Sequence, residues 1–473
     1  MLTKLRIQNF KSLRDTGDLA IRPLTFLVGP NSSGKSSVLQ FLLMLKQTTE
    51  SRDLEGPLTT NGSYVQLGTY QDFAYRHEVD QSVRFELQIK PEQPEPSGRA
   101  ATNGRWFNDL YISVTVGYDA ASGRLSLAAT EVRASLGQRS ILGVPDRPVQ
   151  YTAEFQGQHP KSYSFSLEGL SLSKSAFVFD AVHPIKFYDL KTEDSISELH
   201  QSQDPDEELG RSLLRTMLLK LAPAVEQVFQ DLYYLGPLRE YPKRFYIATG
   251  ETREDVGFRG EAAVEALVNP HASRSDGQLL QAVNKWISRL ELGREVKLEQ
   301  LGSNGPYQLI IQNQATGIDA NITEVGFGVS QVLPVIVEGF YAPEGSTLLL
   351  EHPEIHLHPR AQAHLGDLFI DIATKQKKTL IVETHSEHLL SRIRRRIAEE
   401  KLSREDVAIY YFDPREDGTH IQEVTLNDMG QYVKFPEGFF AEDYHEAIAH
   451  AYVIADRARR AAESAAAPEP VGG

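Results

Sequence analysis

Three short runs of residues in this sequence have types and spacings suited to handling phosphate. The first is Gly29-Pro30-Asn31-Ser32-Ser33-Gly34-Lys35-Ser36, followed by Ser37. It satisfies the phosphate-loop pattern, in which two glycines bracket a four-residue gap and a Lys-Ser pair closes the run. The glycines permit close approach and unusual dihedrals, and amides at a helix start attract phosphate. Lys35 then meets the β and γ phosphates, and the Ser36 hydroxyl binds Mg²⁺. A loop of this kind has to sit between a buried strand and a helix. The apolar Leu24 to Val28 precedes it, and Val38 to Leu45, densely apolar and led by serines, follows it.

A phosphate loop needs an acidic partner at the end of a second buried strand. Thr347 to Glu351 is such a run, apolar residues closing on a carboxylate, which makes Glu351 the Mg²⁺-side acid. The chain continues His352-Pro353-Glu354-Ile355-His356-Leu357-His358-Pro359, whose imidazoles and carboxylates are alternatively read as a transition-metal site, although the spacing matches no standard zinc motif. The third run, Leu380 to Ser386, is another buried strand with a polar end. There His385 is placed to sense a γ-phosphate or polarise water, the plainer alternative being a histidine that is merely hydrogen-bonded.

The whole chain sets bounds on these readings. Its 473 residues suggest about three domain-sized units. With no cysteine, disulfide scaffolds, thiolate nucleophiles and cysteine metal sites are excluded, and an intracellular, cytoplasmic protein fits best. No apolar run approaches the roughly 18 residues needed to span a bilayer, so no membrane partner is expected. The net charge of 49 − 64 = −15 makes bulk non-specific DNA binding poor and confines any DNA contact to a local basic patch. Arg392, Arg394, Arg395 and Arg396 form one candidate, against the alternative of a salt-bridged face with Glu399, Glu400 and Glu405.

Elements follow from periodicity. Leu5 to Phe10 reads as a strand. From about Glu78 to Leu170 the pattern becomes period-two (Val83 to Ile89, Leu110 to Val116, Tyr151 to Phe155), which predicts an antiparallel β region. Helical spacing appears around 206–234 and across Gln278 to Leu290, strands return at Val296 to Leu301 and Tyr307 to Gln312, and two β-then-α units start at Thr347. The two ends of the chain are therefore expected to share one mainly parallel sheet. The Ala- and Pro-rich tail after about Arg460 is expected to be disordered.

With these residues in view, the chain resembles the ABC-type ATPase group that includes the SMC, RecF and OLD proteins. The resemblance rests on Leu5-Arg6-Ile7-Gln8-Asn9-Phe10-Lys11-Ser12-Leu13, on the Gly29 to Ser36 loop, on Glu351-His352-Pro353-Glu354-Ile355-His356-Leu357-His358-Pro359, and on Glu383-Thr384-His385-Ser386. Within that group it is most similar to prokaryotic AAA-family ATPases ending in a short domain of unknown function, here Val424 to Gly430 and Pro436 to Phe440. It implies that His385 is the switch histidine, that Leu357-His358-Pro359 is a D-loop touching the opposite subunit, and that Gln71 is a Q-loop candidate. It places the signature at Gly326-Phe327-Gly328-Val329-Ser330-Gln331, so that nucleotide is sandwiched between two copies. Relatives usually carry a second glutamate directly after the Mg²⁺ acid. Here that position is His352, so turnover is expected to be slow, or Glu354 or His352 to substitute.

The implied fold is an α/β P-loop ABC-type ATPase head with a mainly parallel sheet, an antiparallel β subdomain and an inserted helical subdomain. The expected division is 1–77 and 294–412 for the two halves of the head, 78–204 for the β-rich insertion, 205–293 for the helical insertion, 413–455 for the short C-terminal domain and 456–473 for the tail. The implied activity is slow hydrolysis of ATP with Mg²⁺ in a homodimer or higher homo-oligomer. It would switch a separately encoded effector nuclease in defence against phage or plasmids, since the chain has no room for the Toprim nuclease of the OLD relatives. A RecF-like repair ATPase that binds DNA and a nucleotide-gated scaffold with little turnover are the alternatives.

Overall fold

The structure is a computed structural model that describes residues 1–51, 56–91, 107–136, 148–156, 159–167, 170–175, 221, 223–248, 250, 253, 255–268, 277–303, 305–434 and 452–454. The helical stretch expected over 206–220, residues 435–440 of the C-terminal domain and the tail lie outside them.

The chain opens with β1 (Leu2–Phe10), β2 (Leu13–Asp15) and β3 (Leu19–Ala20), and then enters β4 (Leu24–Val28), whose five residues are all buried. The helix Lys35–Glu50 follows. Next come β5 (Val83–Ile89), β6 (Phe107–Asp119), β7 (Arg124–Leu136), β8 (Pro148–Gln156), β9 (His159–Leu167) and β10 (Leu170–Ser175). These six form an antiparallel meander, and β5 pairs with β1, so the period-two region continues the sheet begun by the first residues of the chain. Alternation explains the register: Val83, Phe85, Leu87 and Ile89 are buried and the residues between them are not.

The second sheet holds the phosphate loop. Its order is β11 (Leu232–Leu235), β15 (Thr347–Glu351), β16 (Thr379–Glu383), β4, β17 (Val407–Arg415) and β18 (Gly418–Glu423). All neighbours are parallel except the β17–β18 hairpin. The mainly parallel sheet shared by both ends of the chain is therefore present, and 413–423 belongs to that sheet. β15 and β16, like β4, are buried along their whole length, which is why they read as unbroken apolar runs. Alternate residues serve two cores. Leu27, Leu349, Ile381 and Ala408 face the helix Lys35–Glu50 and the antiparallel sheet. Phe26, Leu348, Leu380 and Ile409 face the helices Gln278–Arg289, Phe327–Tyr341, Pro359–Lys375 and Glu387–Ala398. A small third sheet, β12 (Glu295–Gln300), β13 (Tyr307–Gln312) and β14 (Asp319–Asn321), caps this second layer. Among the described residues no helix is long and apolar enough to cross a membrane.

Candidate functional site

The site forms where β4, β16 and β15 end side by side. Leaving β4, the chain turns at Gly29 with φ 143°, and a Cβ there would lie 2.5 Å from the Phe412 carbonyl oxygen on β17. Pro30, Asn31 and Ser32 form an exposed crest, whereas Ser33, Lys35 and Ser37 are buried. Thr419 on β18 pins the loop from beneath by donating its hydroxyl to the Ser33 carbonyl at 2.8 Å. Gly34 caps the helix Lys35–Glu50 in the left-handed conformation, and no side chain caps its amides. The first turn carries no acid either, so the helix N-terminus keeps its positive end for an anion.

The Lys35 ammonium donates to the carbonyl oxygens of Gly29 at 3.1 Å and Pro30 at 2.7 Å, and lies 3.8 Å from Glu383. Burial pulls its pKa below the ordinary lysine value although Glu383 and Glu354 oppose this. The Ser36 hydroxyl donates to Glu383 Oε1 at 2.9 Å. The sequence carries the signal for Glu383, because β16 closes on an acid just as β15 does.

Glu351 is the in-register neighbour of Glu383 on the adjacent parallel strand. Its carboxylate accepts from the Tyr234 hydroxyl at 2.9 Å, and its carbonyl oxygen accepts from Arg239 at 3.3 Å. Burial, reinforced by the charge of Glu383, raises Glu351 to about 7. Tyr234 and Arg239 come from β11 and the turn after it. Arg239 is buried with two guanidinium nitrogens unpaired, and burial lowers it to about 10.

Beyond Glu351 the backbone passes through His352 at φ 45°. The His352 ring stacks on His385 with centroids 5.1 Å apart and planes 9° apart. Its Nε2 is 3.6 Å from Glu383 and its Nδ1 3.9 Å from Glu354. The neighbouring Glu354 carboxylate outweighs burial and raises the imidazole above its usual value. Glu354 is lowered despite burial, by His352 and by the His385 amide, which donates to its Oε1 at 2.8 Å. His385 sits at the rim, where partial desolvation and the positive Lys35 and His352 lower it to about 4, so it is a neutral imidazole at physiological pH. Among the described residues no group of three or more His, Asp or Glu forms a metal-ligand cluster, which leaves the transition-metal reading of 352–358 without a site.

The remaining candidates lie apart from this cluster. Gly326 caps the helix Phe327–Tyr341, and the Ser330 hydroxyl turns back to the Phe327 carbonyl at 2.8 Å. Gly328 lies against His356 and Leu357, since a Cβ there would be 3.2 Å from the His356 carbonyl oxygen. Gln71 is exposed on the short helix Tyr70–Phe73, and that helix joins the end of β1 through Lys11 N–H and the Phe73 carbonyl at 2.7 Å.

A family profile described as an AAA ATPase domain matches residues 1–95 and 269–390, and so covers the phosphate loop, β15 and β16 together. The match covers somewhat less than half of the chain and supports an ATPase domain of the AAA type in these two segments, with ATP binding a property of that family. Similar solved structures include an Smc head bound to the C-winged helix domain of ScpA, with 12% identity, 90% of this chain and 98% of that one covered, and a TM-score of 0.45. Another is the SMC head domain from Thermotoga maritima, at 12% identity, 90% and 99% coverage and a TM-score of 0.36. Both scores are too low for any role to be transferred. No match was found among curated proteins. The residues suit what an ATPase domain must hold: an uncapped helix start and Lys35 for phosphate, and the Ser36 hydroxyl and the Glu351 carboxylate for a hard cation.

Proposed function

We propose that the ATPase domain binds Mg-ATP at Gly29 to Ser37 and hydrolyses it slowly, as a nucleotide-driven switch. The observation that carries this reading is the meeting of Lys35, Ser36, Glu383, Glu351 and His385 at the ends of three adjacent parallel strands. In this reading the β and γ phosphates lie on the helix start, and Lys35 exchanges its bonds to Gly29 and Pro30 for phosphate oxygens. Mg²⁺ at Ser36 and Glu351 supplies charge neutralisation. His385, neutral at working pH, donates a hydrogen bond toward the γ-phosphate.

The segment Gly326 to Ser330 contacts His356 and Leu357 within its own chain. This supports the reading in which signature and D-loop form one surface that meets the nucleotide of a second copy. Binding closes such a dimer and hydrolysis releases it, an order or rigid-body transition biased by nucleotide. The resemblance supports a partner effector, a separately encoded nuclease, and a setting in prokaryotic defence. The DNA-binding reading gains nothing from the basic flank. Arg392 and Arg396 bond to Asp367, Arg395 to Glu399, and Arg394 to the Gly430 carbonyl.

The test is phosphate release by wild type and Lys35→Ala, with light scattering in the presence and absence of Mg-ATP. Nucleotide-dependent dimer mass and turnover, both lost in Lys35→Ala, are expected; equal turnover in the two proteins overturns the reading.

A further inference from the structure

A carboxylate held at this site only for structure would be expected to have both oxygens satisfied. Glu383 is 2% exposed, and its Oε2 has no hydrogen-bond partner. Its Oε1 is positioned from three sides, by the Ser36 hydroxyl at 2.9 Å, by His352 Nε2 at 3.6 Å and by Lys35 Nζ at 3.8 Å. These groups fix the carboxyl beside the phosphate-binding lysine and leave one oxygen uncommitted. Glu354 also has an unpaired buried oxygen, but its other oxygen accepts from the His385 amide and not from the Ser36 hydroxyl.

The second observation concerns His352. The resemblance to the ABC-type ATPase group implies a water-orienting glutamate at this place, directly after Glu351. Here the His352 amide donates to the Glu383 carbonyl at 2.9 Å across the ladder, and the two side chains touch. A carboxylate projecting from position 352 and the carboxylate of Glu383 would therefore serve the same small volume from neighbouring strands.

We propose that Glu383 is the catalytic carboxylate of this ATPase, a function transferred by one strand from position 352 to the end of β16. The inference rests on the ATPase reading given above and adds the residue that activates water. Oε2 accepts a hydrogen bond from the attacking water. The water oxygen bonds to the γ phosphorus while the bond from that phosphorus to the β–γ bridging oxygen breaks, and its electron pair leaves on ADP. The water proton passes to Glu383 and then to the departing phosphate, with no change of oxidation state. His352 acts as a positioning residue beside Oε1, and Lys35 stands 3.8 Å from the same oxygen.

Glu383→Gln keeps shape and one acceptor. It should bind Mg-ATP, measured by calorimetry, within about threefold of wild type while kcat falls at least ~100-fold. Adding His352→Glu to it should restore at least ~10-fold of the lost rate, because the carboxylate returns from the adjacent strand. Turnover near wild type in Glu383→Gln, loss of Mg-ATP binding in step with turnover, or absence of rescue would each overturn the proposal. If circular dichroism shows Glu383→Gln unfolded, Glu383→Asp is read in its place: binding retained with slowed turnover supports the proposal, and unchanged turnover overturns it. Turnover in Lys35→Ala equal to wild type sinks the ATPase reading itself, whereas unchanged turnover in Glu383→Gln with an inactive Lys35→Ala sinks this inference alone.

Discussion

Ser36 and Glu383, 347 residues apart in the chain, are joined by a hydrogen bond of 2.9 Å from hydroxyl to carboxylate. That bond closes the ATPase domain across everything inserted between its halves. It makes the first helix of the phosphate loop and the end of β16 one unit.

Lys35→Ala removes the cation that bridges the loop carbonyls and Glu383. Hydrogen bonds to charged groups contribute about 1.5–3 kcal/mol, so ATP affinity should weaken by roughly 10- to 100-fold, as read by calorimetric titration.

Gly29→Ala places a methyl 2.5 Å from the Phe412 carbonyl oxygen at a φ of 143°. The loop must then shift away from β17, and a loss of about 1–3 kcal/mol is expected in urea unfolding, with weaker ATP binding alongside it.

Asp367→Ala should destabilise the fold without changing nucleotide affinity in the folded protein. Asp367 is buried and pairs with Arg392 at 2.5 Å and Arg396 at 2.6 Å, tying the helix Pro359–Lys375 to Glu387–Ala398. Its removal leaves the Arg392 guanidinium without a carboxylate and Arg396 with Glu399 alone, a loss of about 3 kcal/mol measurable by chemical denaturation.

Glu338 gives a pH prediction. It is fully buried in the helix Phe327–Tyr341, accepts from the Val256 amide, and has one oxygen without a partner. Burial raises its carboxyl to about 8. A raised acid binds its proton more tightly in the folded state, so stability from this group is complete below the unfolded value and is lost as pH climbs towards 8. The loss is roughly 1.4 kcal/mol per pH unit across that window. Glu338→Gln should flatten this slope in unfolding curves collected between about pH 5 and 8. An unchanged slope would refute the assignment.

The strands β4, β15 and β16 were legible because burial on both faces writes an unbroken apolar run, and the phosphate loop because its glycines and Lys-Ser pair have a fixed spacing. The order of those strands was not legible. Each run looks alike, so nothing in the sequence says that β16 rather than β15 lies beside β4, and the pairing of Ser36 with Glu383 stayed hidden with it. The helix after the loop also outruns its apolar stretch. It continues to Glu50 because Lys46 and Gln47 are buried through hydrogen bonds to the Phe229 and Thr59 carbonyls and Thr48 accepts from the Thr59 amide, a tertiary arrangement that composition does not encode. β11, four residues long, falls at the end of the stretch 206–234 whose spacing reads as helical, and its pairing with β15 spans more than a hundred residues.

The bond from Lys46 to the Phe229 carbonyl, 3.0 Å long, lies towards the far end of the helix Lys35–Glu50. Phe229 leads directly into β11, whose Tyr234 grips Glu351, while the near end of the same helix grips Glu383. The helix is thus a strut pinned at both extremities, one pin to each acid. A tilt of this rod reaches both carboxylates at once, so mechanical strain from outside the pocket and charge arriving inside it act on the same rigid body.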